Sequence, residues 1–128
     1  QKMKYAIFIS LFLIHLVSCA TQTSDKLSPQ DFKASIEQET NDYGILDLRT
    51  DEEVAQGIVP GADQLDYYED SFEDKLNALD KKVTYYIYCA SGGRSGKTLI
   101  KMKALGFEKV YDLRGGMNAW KAAGLETK

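Results

Sequence analysis

The stretch Val83-Thr84-Tyr85-Tyr86-Ile87-Tyr88-Cys89-Ala90-Ser91-Gly92-Gly93-Arg94-Ser95-Gly96 decides how this chain is read. Its first six residues are all β-branched or aromatic, with no clean alternation of polar and apolar side chains. A strand of that kind is covered on both faces, like the centre of a parallel sheet. Cys89 stands at the carboxyl end of the strand, the edge at which open α/β sheets bind ligands. Gly92 and Gly93 let the next loop curl, so that its N–H groups can converge on one point. A helix is expected from Ser95 to Leu105, and its amino end adds partial positive charge. Arg94 adds a full one. A thiol in such a cradle should ionise below the ordinary value of about 8.5, because each feature favours the anion. A lone cysteine at a strand end more often fills a core, but the glycines and the arginine argue here for chemistry.

Working outward, helix and strand signals alternate. Ser28-Pro29 is an N-cap followed by proline at the first helical position, with Phe32 and Ile36 on one face of the helix. Gly44 to Leu48 reads as a short strand, and Thr50-Asp51-Glu52-Glu53 as a capping box opening a helix. Gly57 to Gly61 is a turn, Ala62 to Tyr67 a strand, and Ser71 the cap of a helix bearing Phe72, Leu76 and Leu79. Beyond Leu105, Gly106 and Phe107 read as a Schellman stop. Lys109 to Leu113 is a last strand and Gly116 to Ala123 a last helix, ended by Gly124. Strands alternating with helices imply a parallel sheet with helices on both faces.

The amino-terminal stretch reads differently. Lys4 precedes a 13-residue apolar run, Tyr5 to Val17, broken only by Ser10 and His15. It is short for a bilayer span and fits a secretory h-region. The run ends in Leu16-Val17-Ser18-Cys19, which resembles a bacterial lipobox. The expectation is a lipoprotein signal over residues 1–18, a lipidated Cys19 beginning a short polar tether over 19–26, and one domain over 27–128. Cys19 would hold the chain to a bacterial membrane facing the periplasm, and Ala20 in place of Asp points to the outer membrane.

Processing there would leave 14 basic against 19 acidic residues, a net charge of −5. An acidic domain is a poor nucleic-acid binder. The single histidine, His15, would leave with the signal. Without an imidazole, Ser-His-Asp and Cys-His hydrolases are excluded. Cys89 would be the one remaining thiol, which excludes an internal disulfide and a Cys/His metal cluster. No cofactor or metal is expected.

The chain resembles the single-domain rhodanese family. Three motifs carry the likeness: Leu46-Asp47-Leu48-Arg49 with Glu53 and Gly57-Ile58-Val59-Pro60-Gly61-Ala62; Tyr88-Cys89-Ala90-Ser91-Gly92-Gly93-Arg94-Ser95; and Leu113-Arg114-Gly115-Gly116-Met117-Asn118-Ala119-Trp120 with Gly124. They span about Leu27 to Leu125. Ile58 stands where the family usually has His, and Glu126 where it often has Pro. The resemblance implies a central five-stranded parallel sheet and a two-step transfer. Cys89 takes the outer sulfur of a small donor such as thiosulfate, backbone N–H groups of Ala90, Ser91, Gly92, Gly93, Arg94 and Ser95 hold the persulfide, and a thiol or cyanide accepts it. Each step moves anionic charge, so amides and Arg94 can serve without a histidine.

Other residues take plainer readings. Asp47, Arg49 and Glu53 read as an ion-pair cluster tying strand to helix. Gly115, Gly116 and Trp120 read as turn and core, and Lys97, Lys101 and Lys103 as a solvated helix face. Three rival functions are separable. Cysteine phosphatases place Arg six residues after the Cys, whereas here Arg94 is the fifth. A phosphate-binding Walker loop needs Gly where Ser91 stands. A silent binding module of the same fold would be marked by an altered nucleophile, and Cys89 is intact.

Overall fold

The computed structural model describes residues 24–128. In chain order the elements are β1 (Lys26–Leu27), α1 (Pro29–Glu37), β2 (Tyr43–Asp47), α2 (Asp51–Val54), β3 (Asp63–Gln64), α3 (Phe72–Asn77), β4 (Thr84–Tyr88), α4 (Gly93–Ala104), β5 (Val110–Leu113) and α5 (Gly116–Ala122). The strands form one sheet in the order β1-β5-β4-β2-β3. Every pairing is parallel.

The pleat sends alternate side chains to two cores. Leu46, Tyr85 and Ile87 pack with Phe72 and Leu76 of α3 and with Leu99 and Met102 of α4. Ile45, Tyr86 and Tyr88 pack on the other face with Phe32 of α1 and with Met117 and Trp120 of α5. Helices therefore cover both faces, and all five residues of β4 are buried. This is why β4 lacks alternation: neither of its faces meets water.

The local signals act as expected at most ends. The Ser28 hydroxyl accepts from the Asp31 N–H at 3.2 Å. Thr50 and Glu53 close both halves of the capping box. The Phe107 N–H reaches the Met102 carbonyl at 3.1 Å past Gly106, whose φ of +90° suits glycine. Several boundaries differ, three of them with consequences. Ladder pairing in the expected Ala62–Tyr67 strand is confined to Asp63–Gln64, because this strand lies at the sheet edge beside the short end of β2. α4 starts at Gly93, two residues early, which brings Arg94 into its first turn. Lys26, the last residue of the expected 19–26 tether, lies in β1, where it pairs with Asp112, and the Asp25 carbonyl accepts from the Asp112 N–H at 2.7 Å. That polar pair of residues gave no apolar strand signal. Cys19 and the proposed signal lie outside the described residues. Among those described, no helix is long and apolar enough to cross a membrane.

β2 and β4 are neighbours, yet the chain leaves them toward opposite edges of the sheet, β2 toward β3 and β4 toward β5. Their carboxyl ends therefore flank a crevice of the sort that holds ligands in open α/β sheets.

Candidate active site

Cys89 follows the last residue of β4, and only Ala90 to Gly92 separate it from α4. So short a turn needs a left-handed residue, and Gly92 provides it with φ of +107°. Gly93 is already helical. The turn aims donors at sulfur. The Gly92 N–H lies 3.1 Å from Cys89 Sγ and the Ser95 N–H 3.4 Å. Ser95 Oγ is 3.5 Å away. Cys89 is 1 % exposed. Burial pushes the thiol's pKa up, but the Ser95 hydroxyl and the N–H groups of Ser95, Gly92 and Ser91 pull it down further, and the net shift is downward. The N–H groups of Gly92 and Ser95 thus converge on the sulfur.

The second half of the brace comes from α5. The Met117 N–H donates to the Cys89 carbonyl and the Asn118 N–H to the Ala90 carbonyl, both at 2.9 Å. This approach is possible only because Gly116 has no side chain. A Cβ there would lie 2.4 Å from the Cys89 carbonyl oxygen and 2.6 Å from the Ala90 carbonyl. Trp120 fills the core as expected, but Gly116 does more than shape a turn. The paired glycines ahead of a helix were the available signal.

The charged residues separate into two groups rather than one. Arg49 forms a buried two-pronged pair with Asp47, at 2.9 and 2.7 Å, and also donates to the carbonyls of Glu53 and Gly57. The Tyr88 hydroxyl donates to Asp47 Oδ2 at 2.6 Å and accepts from the Val59 N–H. This group locks the β2 end to β4 and the turn. The Glu53 carboxylate turns away from Arg49 and grips both terminal nitrogens of Arg94 at 2.8 Å. That pairing, against the opposing effect of burial, holds Glu53 down to about 2. Arg94 also lies over the Tyr68 ring, 5.5 Å from its centroid, and still feels the Cys89 charge. The capping box holds the Glu53 carboxylate at the Thr50 N–H, where both of its oxygens also accept from Arg94 of α4. Ile58 pairs its N–H and C=O with Lys128, each at 2.9 Å, so its backbone holds the segment that follows α5 against the turn. Lys97 is exposed.

One buried group had drawn no notice in the sequence. Asp112 of β5 is 1 % exposed, and its Oδ1 has no hydrogen-bond partner. Burial raises its pKa, against the opposing influence of Ser95 and of the Lys26 charge.

A thiol poised to ionise at the carboxyl edge of a central parallel strand, ringed by amides, defines a cysteine-based site that stabilises sulfur-borne negative charge. Among the described residues there is no cluster able to hold a metal ion. The chain belongs to the rhodanese family: the rhodanese-like domain model matches residues 28–123. It is 36% identical to a sulfurtransferase of Allochromatium vinosum over 87 residues, 68% of this chain and 79% of that one. It is 38% identical to a tRNA uridine(34) hydroxylase of Cupriavidus taiwanensis over 98 residues, 70% of this chain but 34% of that enzyme. The fold matches a rhodanese-like domain protein of Staphylococcus aureus with a TM-score of 0.66 at 36% identity, covering 80% of this chain and 97% of the other. The five-stranded parallel sheet is the rhodanese-like fold, and its sulfurtransferase relatives place the chain in an enzyme superfamily.

Proposed function

We propose that the protein is a sulfurtransferase that moves a sulfane sulfur from a small anionic donor such as thiosulfate to a thiol or cyanide through a Cys89 persulfide. The observation that carries the reading is the convergence of the Gly92 and Ser95 N–H groups on Cys89 Sγ. Cys89 thiolate attacks the outer sulfur of the donor. The new S–S bond forms as the bond to the sulfonate sulfur breaks, and sulfite leaves with that electron pair. The acceptor then attacks the outer persulfide sulfur and returns Cys89 as a thiolate. Both steps exchange one sulfur anion for another, which suits fixed amide dipoles. The first-turn N–H groups of Gly93 and Arg94 have no intrahelical acceptor by helix geometry. They are available, with those of Ala90 and Ser91, to the terminal sulfur. The likeness to the tRNA hydroxylase spans a third of that enzyme and lends no RNA chemistry to this acidic chain.

The test is thiocyanate formation from thiosulfate and cyanide by the purified protein. Turnover that vanishes in Cys89→Ser is the expected result. Equal rates in the two proteins would reject the reading. We also infer, from the lipobox alone, that Cys19 is lipidated and anchors the domain on the periplasmic side of a membrane.

A further inference from the structure

Arg94 lies in the chain between Gly92 and Ser95, whose N–H groups both reach Cys89 Sγ. It is the sole basic residue from Cys89 to Gly96. Its charge is not free. Both terminal nitrogens donate to the two Glu53 oxygens at 2.8 Å. The Glu53 carboxylate is itself fixed, because it accepts from the Thr50 N–H at 2.9 Å and from the Thr50 hydroxyl at 3.1 Å. The Arg94 side chain is 16% exposed and that of Glu53 32%, so water weakens the pairing only in part. A guanidinium carries five N–H bonds, and Glu53 takes two of them. The others can still donate to an anion, but the pair as a whole has no net charge.

Other cations do not make up the difference. Arg49 is buried against Asp47, and Arg114 donates to the Lys26 carbonyl. Lys26, beside Gly96, and Lys97 are exposed, so water and salt screen them. Residues 50–74, which bring both Glu53 and the Tyr68 ring to Arg94, hold nine acidic residues and no basic one.

We propose that Glu53 sets the donor specificity of the site: by neutralising Arg94 it favours sulfane donors of one negative charge, thiosulfonates and organic persulfides, over dianions. The inference rests on the proposed transfer through Cys89, and it narrows the class of donor. Thiosulfate remains a donor, at a lower rate. The loop amides serve the sulfur end of either kind. The second charge of thiosulfate lies at its sulfonate end and loses hydration on entry. A free guanidinium would offset that loss, whereas one paired with Glu53 offsets it in part and the Glu53 charge repels the dianion. With a thiosulfonate, Cys89 thiolate bonds to the outer sulfur as the S–S bond breaks, and a sulfinate leaves with that electron pair. Cys89 ends as the same persulfide in both cases.

The experiment compares single-turnover loading of Cys89 from thiosulfate and from methanethiosulfonate, read by quenched-flow intact mass. The two donors differ by a methyl group in place of one charged oxygen. Glu53→Gln is the informative variant, because glutamine still closes the capping box while the charge is gone. The thiosulfate-to-methanethiosulfonate rate ratio should rise about fivefold or more, the scale of removing one unit charge from a partly exposed site. Glu53→Asp, which keeps the charge, should stay near the wild-type ratio. A second readout needs no sulfur donor: alkylation of Cys89 by iodoacetate relative to iodoacetamide. That pair also differs by one charge, so its ratio should rise in Glu53→Gln by a similar factor. A merely structural role would move both members of each pair together. Unchanged ratios in Glu53→Gln would therefore overturn the proposal, as would an equal rise in Glu53→Asp. If neither donor loads the wild-type protein, the transferase reading falls. A raised alkylation ratio would then still retain Glu53 as the group that disfavours anions at Cys89, and an unchanged one would remove both.

Discussion

Gly116→Ala isolates the brace that α5 applies to the Cys89 loop. At φ +58° an alanine is in left-handed backbone, which costs about 1–2 kcal/mol. Its Cβ would also lie 2.4 Å from the Cys89 carbonyl oxygen and 2.6 Å from both atoms of the Ala90 carbonyl. These are backbone atoms at the end of the central strand, so no flexible side chain can yield. The first turn of α5 must withdraw, and the hydrogen bonds from Met117 and Asn118 to those carbonyls are lost, at about 1 kcal/mol each. The sum is about 3–4 kcal/mol, a large share of the roughly 5–15 kcal/mol that holds a domain together. Gly124→Ala is the matched control: it has the same backbone penalty, at φ +71°, with nothing within 4 Å of its Cβ. Urea unfolding of both variants should give a loss at Gly116 about 2 kcal/mol or more beyond that at Gly124. Cys89 alkylation in the Gly116 variant should move toward the pH of a free thiol, because the turn that aims the amides has lost its support. Equal losses in the two variants, or an unchanged Cys89 profile, would refute the claim that α5 holds the cradle.

Other outcomes follow from the same contacts. Glu53 is held at about 2 in the folded protein against an ordinary 4.5. Its contribution is therefore complete above about pH 4.5 and is lost as pH falls toward 2; Glu53→Gln should remove about 1–2 kcal/mol of that acid-dependent loss, allowing for its partial exposure, as read by urea unfolding between pH 5 and 2. Arg94→Ala should slow sulfur loading from thiosulfate by about ten- to a hundredfold, the scale of one charged hydrogen bond, and slow transfer to the acceptor less; single-turnover rates of the two half-reactions separate them. Cys19→Ser should release soluble protein or leave an uncleaved precursor, seen by membrane fractionation and intact mass.

The core of the fold was legible because hydrophobic patterning is a local property with a non-local meaning. Six β-branched or aromatic residues in a row could only be a doubly covered strand, and β4 is one. Helix ends were legible wherever a side chain or a glycine does the capping, as at Ser28, Thr50 and Gly106. β1 was not legible: two residues, Lys26 and Leu27, carry no pattern, and only the exposed edge of β5 recruits them. At the site, Cys89 and its glycine turn were written in one continuous stretch. The partner of Arg94 was not, because Glu53 lies 41 positions away and nothing in spacing chooses between Arg49 and Arg94. The role of Gly116, though not its place in a glycine pair, was hidden for the same reason. It matters through its close approach to the Cys89 and Ala90 carbonyls, and sequence neighbours do not reveal such an approach.

The central claim is that sulfur is carried on Cys89. Intact and peptide mass of the purified protein after brief exposure to thiosulfate, before and after cyanide, tests it most directly. The account predicts one added sulfur atom on the peptide containing Cys89, removed by cyanide, and none in Cys89→Ser. A wild-type protein that stays at its unmodified mass with thiosulfate, or that gains sulfur on a peptide without Cys89, would contradict it.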